Sequence, residues 1–291
     1  MLVAVRARRH EQLAPPRSVG DFAGCVAVLV ASRSGKAGHF GLSETFRVSW
    51  LISGSHEEDK VRRSEINGII RDARQFIRRR GYYLPPFAYW TPQDWSTKGE
   101  EARDIVENQL GWDITDFGQG NYRKCGLLLF TLRNGSLEEL RAKKGKLYCE
   151  KLMIVDVDQV TPMHFHFNKV EDIINRGGGR LAIRLYSATQ DEGLAENEIT
   201  ASVDGVSRVV KAGETVLLKP GESITLPSRL YHEFWGVGKR VLVGEVSLVN
   251  DDRSDNRFYG RVGRFSEIEE DEKPLHPLVT DYANYWPYAE V

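Results

Sequence analysis

The spacing of apolar positions changes character near residue 122. Before it, Ile66, Ile69, Ile70, Ala73, Phe76 and Ile77 recur at helical spacing. Ser64 is the expected N-cap of that helix, Arg78, Arg79 and Arg80 suit its negative C-terminal end, and Gly81 supplies the stop. Thr91-Pro92 opens a short helix, and Ala102, Ile105, Val106 and Leu110 line one side of another near Glu100 to Leu110. Between the first two runs the stretch YYLPPFAYWTP is extended and aromatic. Its rings can stack on a sugar, but their density reads as core packed across a larger unit.

After Tyr122 the pattern is that of short strands: Cys125 to Leu132, Lys146 to Val155, Val160 to Phe167, Arg180 to Ser187, Thr200 to Val203, Ser207 to Val210, Glu214 to Leu218, Ser223 to Leu226, Tyr231 to Trp235 and Arg240 to Val249. Asn134-Gly135, Asp204-Gly205, Lys219-Pro220-Gly221-Glu222 and the triple glycine 177–179 read as turns between them. The glycines lack the strand-to-helix setting of a phosphate-binding loop. Many short strands with few helices predict a mainly β fold, a sandwich, jelly roll or barrel, with the N-terminal helical segment (about 64–112) packed outside.

Composition narrows the function classes. The 291 residues are 41% hydrophobic and 28% charged, with 40 basic against 41 acidic side chains. That balance favours neither nucleic acid nor an anionic membrane as a partner. Cys25, Cys125 and Cys149 follow no metal or disulfide spacing, so a reducing cytoplasm is expected, with a homodimer as the base expectation for a cytoplasmic protein. Residues 1–60 stand apart. They are basic at the start, and the apolar run Phe22 to Ala31 is too short to span a bilayer. An atypical extension, disordered or loosely packed, is expected there, with 61–291 forming one catalytic domain; an export or transit segment and a misassigned start are the other readings.

The chemistry lies in Thr161-Pro162-Met163-His164-Phe165-His166-Phe167-Asn168-Lys169-Val170-Glu171. Alternating faces of a strand point His164 and His166 the same way, and Glu171 on the returning chain can close on the same ion. Lys169 and Glu233 adjoin these residues, yet by strand parity they face away. Among the remaining histidines, His10, His39 and His56 fall in the extension and His276 in a proline-flanked tail, whereas His232 sits in a strand-like segment of the β region. Three imidazoles and one carboxylate suit Mn²⁺, Fe²⁺, Co²⁺ or Ni²⁺ with open positions, and Zn²⁺ at lower coordination.

His164-x-His166-x4-Glu171 followed by Gly177, together with Gly221, Pro227 and His232, resembles the two motifs of the cupin barrel, a small jelly roll that holds a metal at its mouth. A narrower resemblance is to the bacterial D-lyxose isomerase family. It is carried by EKLMI (150–154), QVTPMHFHFNKVEDIINRGGGRLAIRLY, RSEINGIIRDARQF, GYYLPPFAYWTPQDW, LPSRLYHEFWG, GEVSLVNDDRSDNRF and GRFSEIEEDEKP. It runs from about residue 61 to 285. The resemblance implies interconversion of D-lyxose and D-xylulose, with D-mannose and D-fructose as a second pair, at a metal that is usually Mn²⁺, with His164, His166, Glu171 and His232 as ligands.

Isomerisation through an enediol needs a base at the C1–C2 bond and an acid for the oxygens. Lys151, on the strand before the first motif, is the first candidate. Glu267, in the acidic run Glu267 to Glu272, is the second, on the implication that one member of the run turns into the barrel. A hydride shift would need no base. The rivals are a phosphosugar isomerase on the same barrel, with Arg176, Arg180 and Arg184 at its mouth, a metal-dependent oxygenase, and a non-catalytic sugar-binding cupin.

Overall fold

The computed structural model describes residues 61–265 and 267–289, so the expectations for residues 1–60, including Cys25 and three histidines, lie outside the described residues. The strands in chain order are β1 (Val61–Arg62), β2 (Gly111–Thr115), β3 (Leu127–Arg133), β4 (Tyr148–Val155), β5 (Thr161–His166), β6 (Glu171–Ser187), β7 (Ile199–Val203), β8 (Val206–Val210), β9 (Thr215–Leu218), β10 (Ser223–Leu226), β11 (Leu230–Leu248), β12 (Asn256–Phe258) and β13 (Ile268–Glu269). The helices are α1 (Arg63–Arg79), α2 (Pro92–Ser96), α3 (Arg103–Glu107), α4 (Leu137–Ala142) and α5 (Tyr282–Tyr285). No helix among the described residues is long and apolar enough to cross a membrane.

Two long antiparallel strands, β6 and β11, organise the molecule. Their paired length is shared by two sheets. One half of β11 pairs with β4, and through it β3 and β2, while the matching half of β6 pairs with β10, which leads to β7 and β8. The other halves carry β5, with β12 beyond it, and β9. The sheets curl toward each other over Met153, Ile173, Ile183, Leu218, Phe234 and Val243, giving a mainly β jelly-roll barrel of the cupin type.

That long pairing explains why the triple glycine is not a turn. Gly177, Gly178 and Gly179 lie inside β6, where β11 shifts register. A Cβ on Gly178 would meet the Arg240 carbonyl oxygen at 2.1 Å and one on Gly179 the Lys239 oxygen at 2.2 Å. Only glycine lets the two backbones come this close as the strands bend from one sheet into the other.

The helical segment packs outside the barrel. Ile66, Ile70, Ala73 and Ile77 of α1 seal the outer face of β2, β3 and β4 through Trp112, Leu128, Phe130 and Ile154. Ser64 is not the N-cap; the helix starts at Arg63, with Arg62 at the cap and no side-chain capping bond. Ser64 instead bonds through its N–H and hydroxyl to Asp271. The acidic run serves the same end, because Glu269 meets Arg62, Glu270 meets Arg63, and Glu272 accepts from Asn67. Negative charge belongs at a helix N-terminus. The expected helix near 100–110 is realised as a 3₁₀ turn followed by α3, after which β2 begins at Gly111. Thr91 does cap α2, with Pro92 in its first turn and Asp94 closing a capping box. The aromatic run is core: Phe87 stacks on Phe130, and Trp90 and Trp95 join Tyr282 and Trp286.

Candidate active site

One end of the barrel interior holds a cavity of about 390 Å³. His164 and His166 both face it from β5, while Phe165 between them is fully buried on the other side against Phe167 and Tyr231. Register brings in the third imidazole. His232 on β11 lies directly across from His164, with ring centroids 4.2 Å apart. Glu171 opens β6, and its Oε1 lies 3.4 Å from His166 Nε2 and 3.1 Å from His232 Nε2. The ligating nitrogens of His164, His166 and His232 all fall within 4.8 Å of one another. The four side chains picked from the sequence therefore converge.

Their protonation follows from what the far side of each ring touches. His164 Nδ1 donates to the Pro162 carbonyl at 2.7 Å and His232 Nδ1 to the Leu230 carbonyl at 3.0 Å. This tautomer leaves each Nε2 as a lone pair aimed inward. Burial first, then the neighbouring imidazoles, holds His164 well below the ordinary histidine range, and burial lowers His166 as well. Burial works to raise Glu171, but the Lys169 ammonium first, and then the His166 and His232 imidazoles, outweigh it and keep the group a carboxylate. Its Oε1 is buried without a hydrogen-bond donor. The Nε2 lone pairs of His164 and His232 and a carboxylate oxygen thus meet at one point, with His166 Nε2 beside them. Such a set is repulsive by itself and fits a divalent cation.

Beside this donor set lies a buried polar layer. Lys151 faces inward with Met153 and Val155 on β4, as strand parity requires. Glu245, on the inward parity of Val241 and Val243 in β11, stands opposite it in register. Lys169 was expected to face away, but the chain has left β5 by then and parity does not apply. Its ammonium enters the cavity wall, donating to Glu245 Oε1 at 2.9 Å and pairing with Glu171 Oε2 at 2.9 Å. Burial opposes the charge on both lysines, yet the carboxylates around them raise both, Glu171 and Glu245 for Lys169, Glu245 and Asp252 for Lys151. Burial likewise works to raise Glu245, but the two lysines hold it below its ordinary value. Asp252 is held down to about 2 against the same burial penalty. Toward the mouth, Asn256, Phe258 and the Arg264–Asp113 ion pair complete the lining.

Glu267 is exposed, precedes β13 and does not line the cavity. Glu233 points away and binds Arg184. Arg176, Arg180 and Arg184 do not line the cavity either. The sequence reading missed Glu245, Asp252, Asn256 and Asp113. Glu245 had a usable signal, a lone acid at the inward spacing of Val241-x-Val243-x-Glu245. The others enter from loops or short edge strands, where no periodicity points inward.

Comparison with known proteins gives a consistent family. A family model described as D-lyxose isomerase matches residues 61–282. A D-lyxose/D-mannose isomerase of Serratia proteamaculans is 45% identical over 225 residues, covering 76% of this chain and 98% of the relative. A protein of the same description from Escherichia coli O157:H7 is 46% identical over 229 residues, covering 77% of this chain and 100% of the relative. Among solved structures, an L-ribose isomerase from Cellulomonas parahominis is 16% identical with a TM-score of 0.49, covering 72% of this chain and 99% of that one.

Proposed function

Because the chain belongs to the D-lyxose isomerase family, we propose that this aldose–ketose isomerase interconverts D-lyxose with D-xylulose, and D-mannose with D-fructose, at a divalent metal held by His164, His166, Glu171 and His232. The observation that carries the metal is the donorless Glu171 Oε1 among inward-facing imidazole nitrogens. Mn²⁺ is the favoured ion, with Co²⁺, Fe²⁺, Ni²⁺ and Zn²⁺ compatible with the same donors. When bound, such an ion supplies Lewis acidity toward the substrate oxygens.

The remaining chemistry falls to the chain's own residues, through an enediol. Lys151, charged and facing the cavity, gives a proton to the carbonyl oxygen O1 of the aldose, while Glu245 takes the proton from C2. The two transfers support each other. A neutral Lys151 no longer holds the Glu245 carboxylate down, so its basicity rises as the C2 proton arrives. In the second half Glu245 returns its proton to C1 and Lys151 recovers one from O2. Lys151 therefore acts as the acid first, and Glu245 takes the place that the sequence reading gave to Glu267.

A free sugar suits this cavity better than a phosphosugar. Its cations, Lys151, Lys169 and Arg264, are all engaged by carboxylates, and the arginines once considered for a phosphate lie outside it. We likewise propose a cytoplasmic homodimer; free, buried Cys125 and Cys149 accord with a reducing compartment. The decisive experiment is an anaerobic panel of free and phosphorylated aldoses with Mn²⁺, Co²⁺ or EDTA, run in D₂O. D-lyxose and D-mannose are expected to turn over only with metal and to acquire solvent deuterium at carbon. Turnover with no deuterium wash-in would replace the enediol by a hydride shift, and no turnover of either sugar would end the reading.

A further inference from the structure

Two buried ammonium groups sit close enough to share acceptors, and they are not held alike. Lys169 donates to Glu245 Oε1 at 2.9 Å and Asn250 Oδ1 at 3.2 Å, and is ion-paired to Glu171 Oε2 at 2.9 Å. Lys151 makes one short bond, to Asn250 Oδ1 at 2.6 Å, and lies 3.5 Å from Glu245 Oε1. Asn250 does not line the cavity; it stands behind the lysines, two residues beyond β11. Its backbone is clamped from both sides by one side chain. The Asn250 N–H donates to Asn134 Oδ1 at 2.9 Å, and the Asn250 carbonyl accepts from Asn134 Nδ2 at 3.1 Å. Asn134 is itself buried, in the loop between β3 and α4.

We propose that Asn250, clamped by Asn134, is a positioning residue that aims the Lys151 ammonium into the cavity. One amide oxygen offsets the repulsion between two like charges that would otherwise drive Lys151 away from Lys169. Because Lys169 has two further acceptors, the loss of Asn250 Oδ1 falls on Lys151. With its single short bond made backward to Asn250, Lys151 keeps donors free for a substrate oxygen in front. The inference rests on the acid role given to Lys151 above, and it adds the part of the fold that sets that role.

The test compares Asn250→Leu, which has the shape but no acceptor, with Asn250→Asp, which keeps an oxygen for both ammonium groups. Metal content, Tm, kcat and KM are measured for each, together with a crystal structure of Asn250→Leu. N250L is expected to bind metal at the wild-type stoichiometry and to lose kcat by about 10²-fold with KM changed less than about threefold. Its Lys151 Nζ is expected to leave its place beside Glu245. N250D is expected to recover at least about tenfold of that kcat. Asn134→Ser, which leaves the amide in place but frees its backbone, should show the same kcat-selective loss at smaller size. N250L with wild-type kcat, or with Lys151 unmoved, overturns the proposal. So does N250L that loses Tm and kcat together with no recovery in N250D, since that marks a purely structural role. A wild-type enzyme inactive on every sugar of the panel instead removes the isomerase reading, and this inference with it.

Discussion

At the scale of single residues, the donor set and the acid–base pair predict different losses. His164→Ala or His232→Ala removes a metal donor from a buried site without touching the sheet hydrogen bonds of β5 or β11. The expected result is loss of bound metal by elemental analysis, well beyond the ~10–100-fold that losing an outer partner costs, with an unchanged circular dichroism spectrum. Retained metal would take that histidine out of the site. Glu245→Gln should keep the metal and the fold but lower kcat by about 10²–10⁴-fold and abolish deuterium wash-in. Full activity there would return the base to an open question. The convergence of His164, His166, Glu171 and His232 was legible in the sequence because strand parity and two spaced motifs agree on it. Glu245 was not read, although its parity with Val241 and Val243 was available, because one acid among apolar residues has no motif of its own. Lys169 was misjudged because strand parity was carried past the end of β5.

At the scale of elements, sequence periodicity located what is locally determined and missed what long-range contacts decide. The Ile66-to-Ile77 spacing marks α1, yet its start is set by an acidic strand some two hundred residues later. Likewise the triple glycine resembles a turn until its close partner, the Lys239–Arg240 backbone of β11, is known. The clamp on α1 is testable. Arg63 is 1% exposed and bonds both Glu270 and Asp281. Burial works to lower its pKa, but the two carboxylates hold it above the ordinary arginine value. Arg63→Ala leaves Asp281 buried beside no cation, which costs about 3–5 kcal/mol and should show as a lower denaturation midpoint. Glu267→Gln is the contrasting variant: with that side chain exposed and outside the cavity lining, kcat should change less than about twofold. A large kcat loss in Glu267→Gln would mean that the acidic run does reach the substrate.

At the scale of the whole molecule, the tail that seals the helical layer carries a pH dependence of its own. His276 is buried, with Nδ1 donating to the Trp90 carbonyl at 3.1 Å and Nε2 accepting from Arg74 Nη1 at 2.7 Å. Tyr89 packs edge-on to its ring, and Asp94 is the nearby acid. Burial is the main reason its pKa falls to about 4; the Arg74 guanidinium adds to this, and the Trp90 carbonyl and Asp94 oppose it. A folded value below the unfolded one means that the unfolded chain binds this proton first as pH falls. Above about pH 6.5 neither state is protonated and His276 adds no slope. Between about 6.5 and 4 the unfolded state gains one proton that the folded state refuses, so stability drops with falling pH and levels off once both states are charged. Asp252 has the same sense, but its stabilisation is lost only as pH falls from its unfolded value toward about 2, below this window. Tm measured from pH 8 to 4.5 should therefore be flat and then decline below about 6.5. In His276→Gln, whose amide can still donate to Trp90 and accept from Arg74, that decline should be shallower by about one proton's worth of slope. Both measurements belong on metal-free protein, because bound metal adds its own proton competition at the site histidines. Parallel curves for wild type and His276→Gln would mean that the tail histidine already exchanges protons freely with solvent in the folded state.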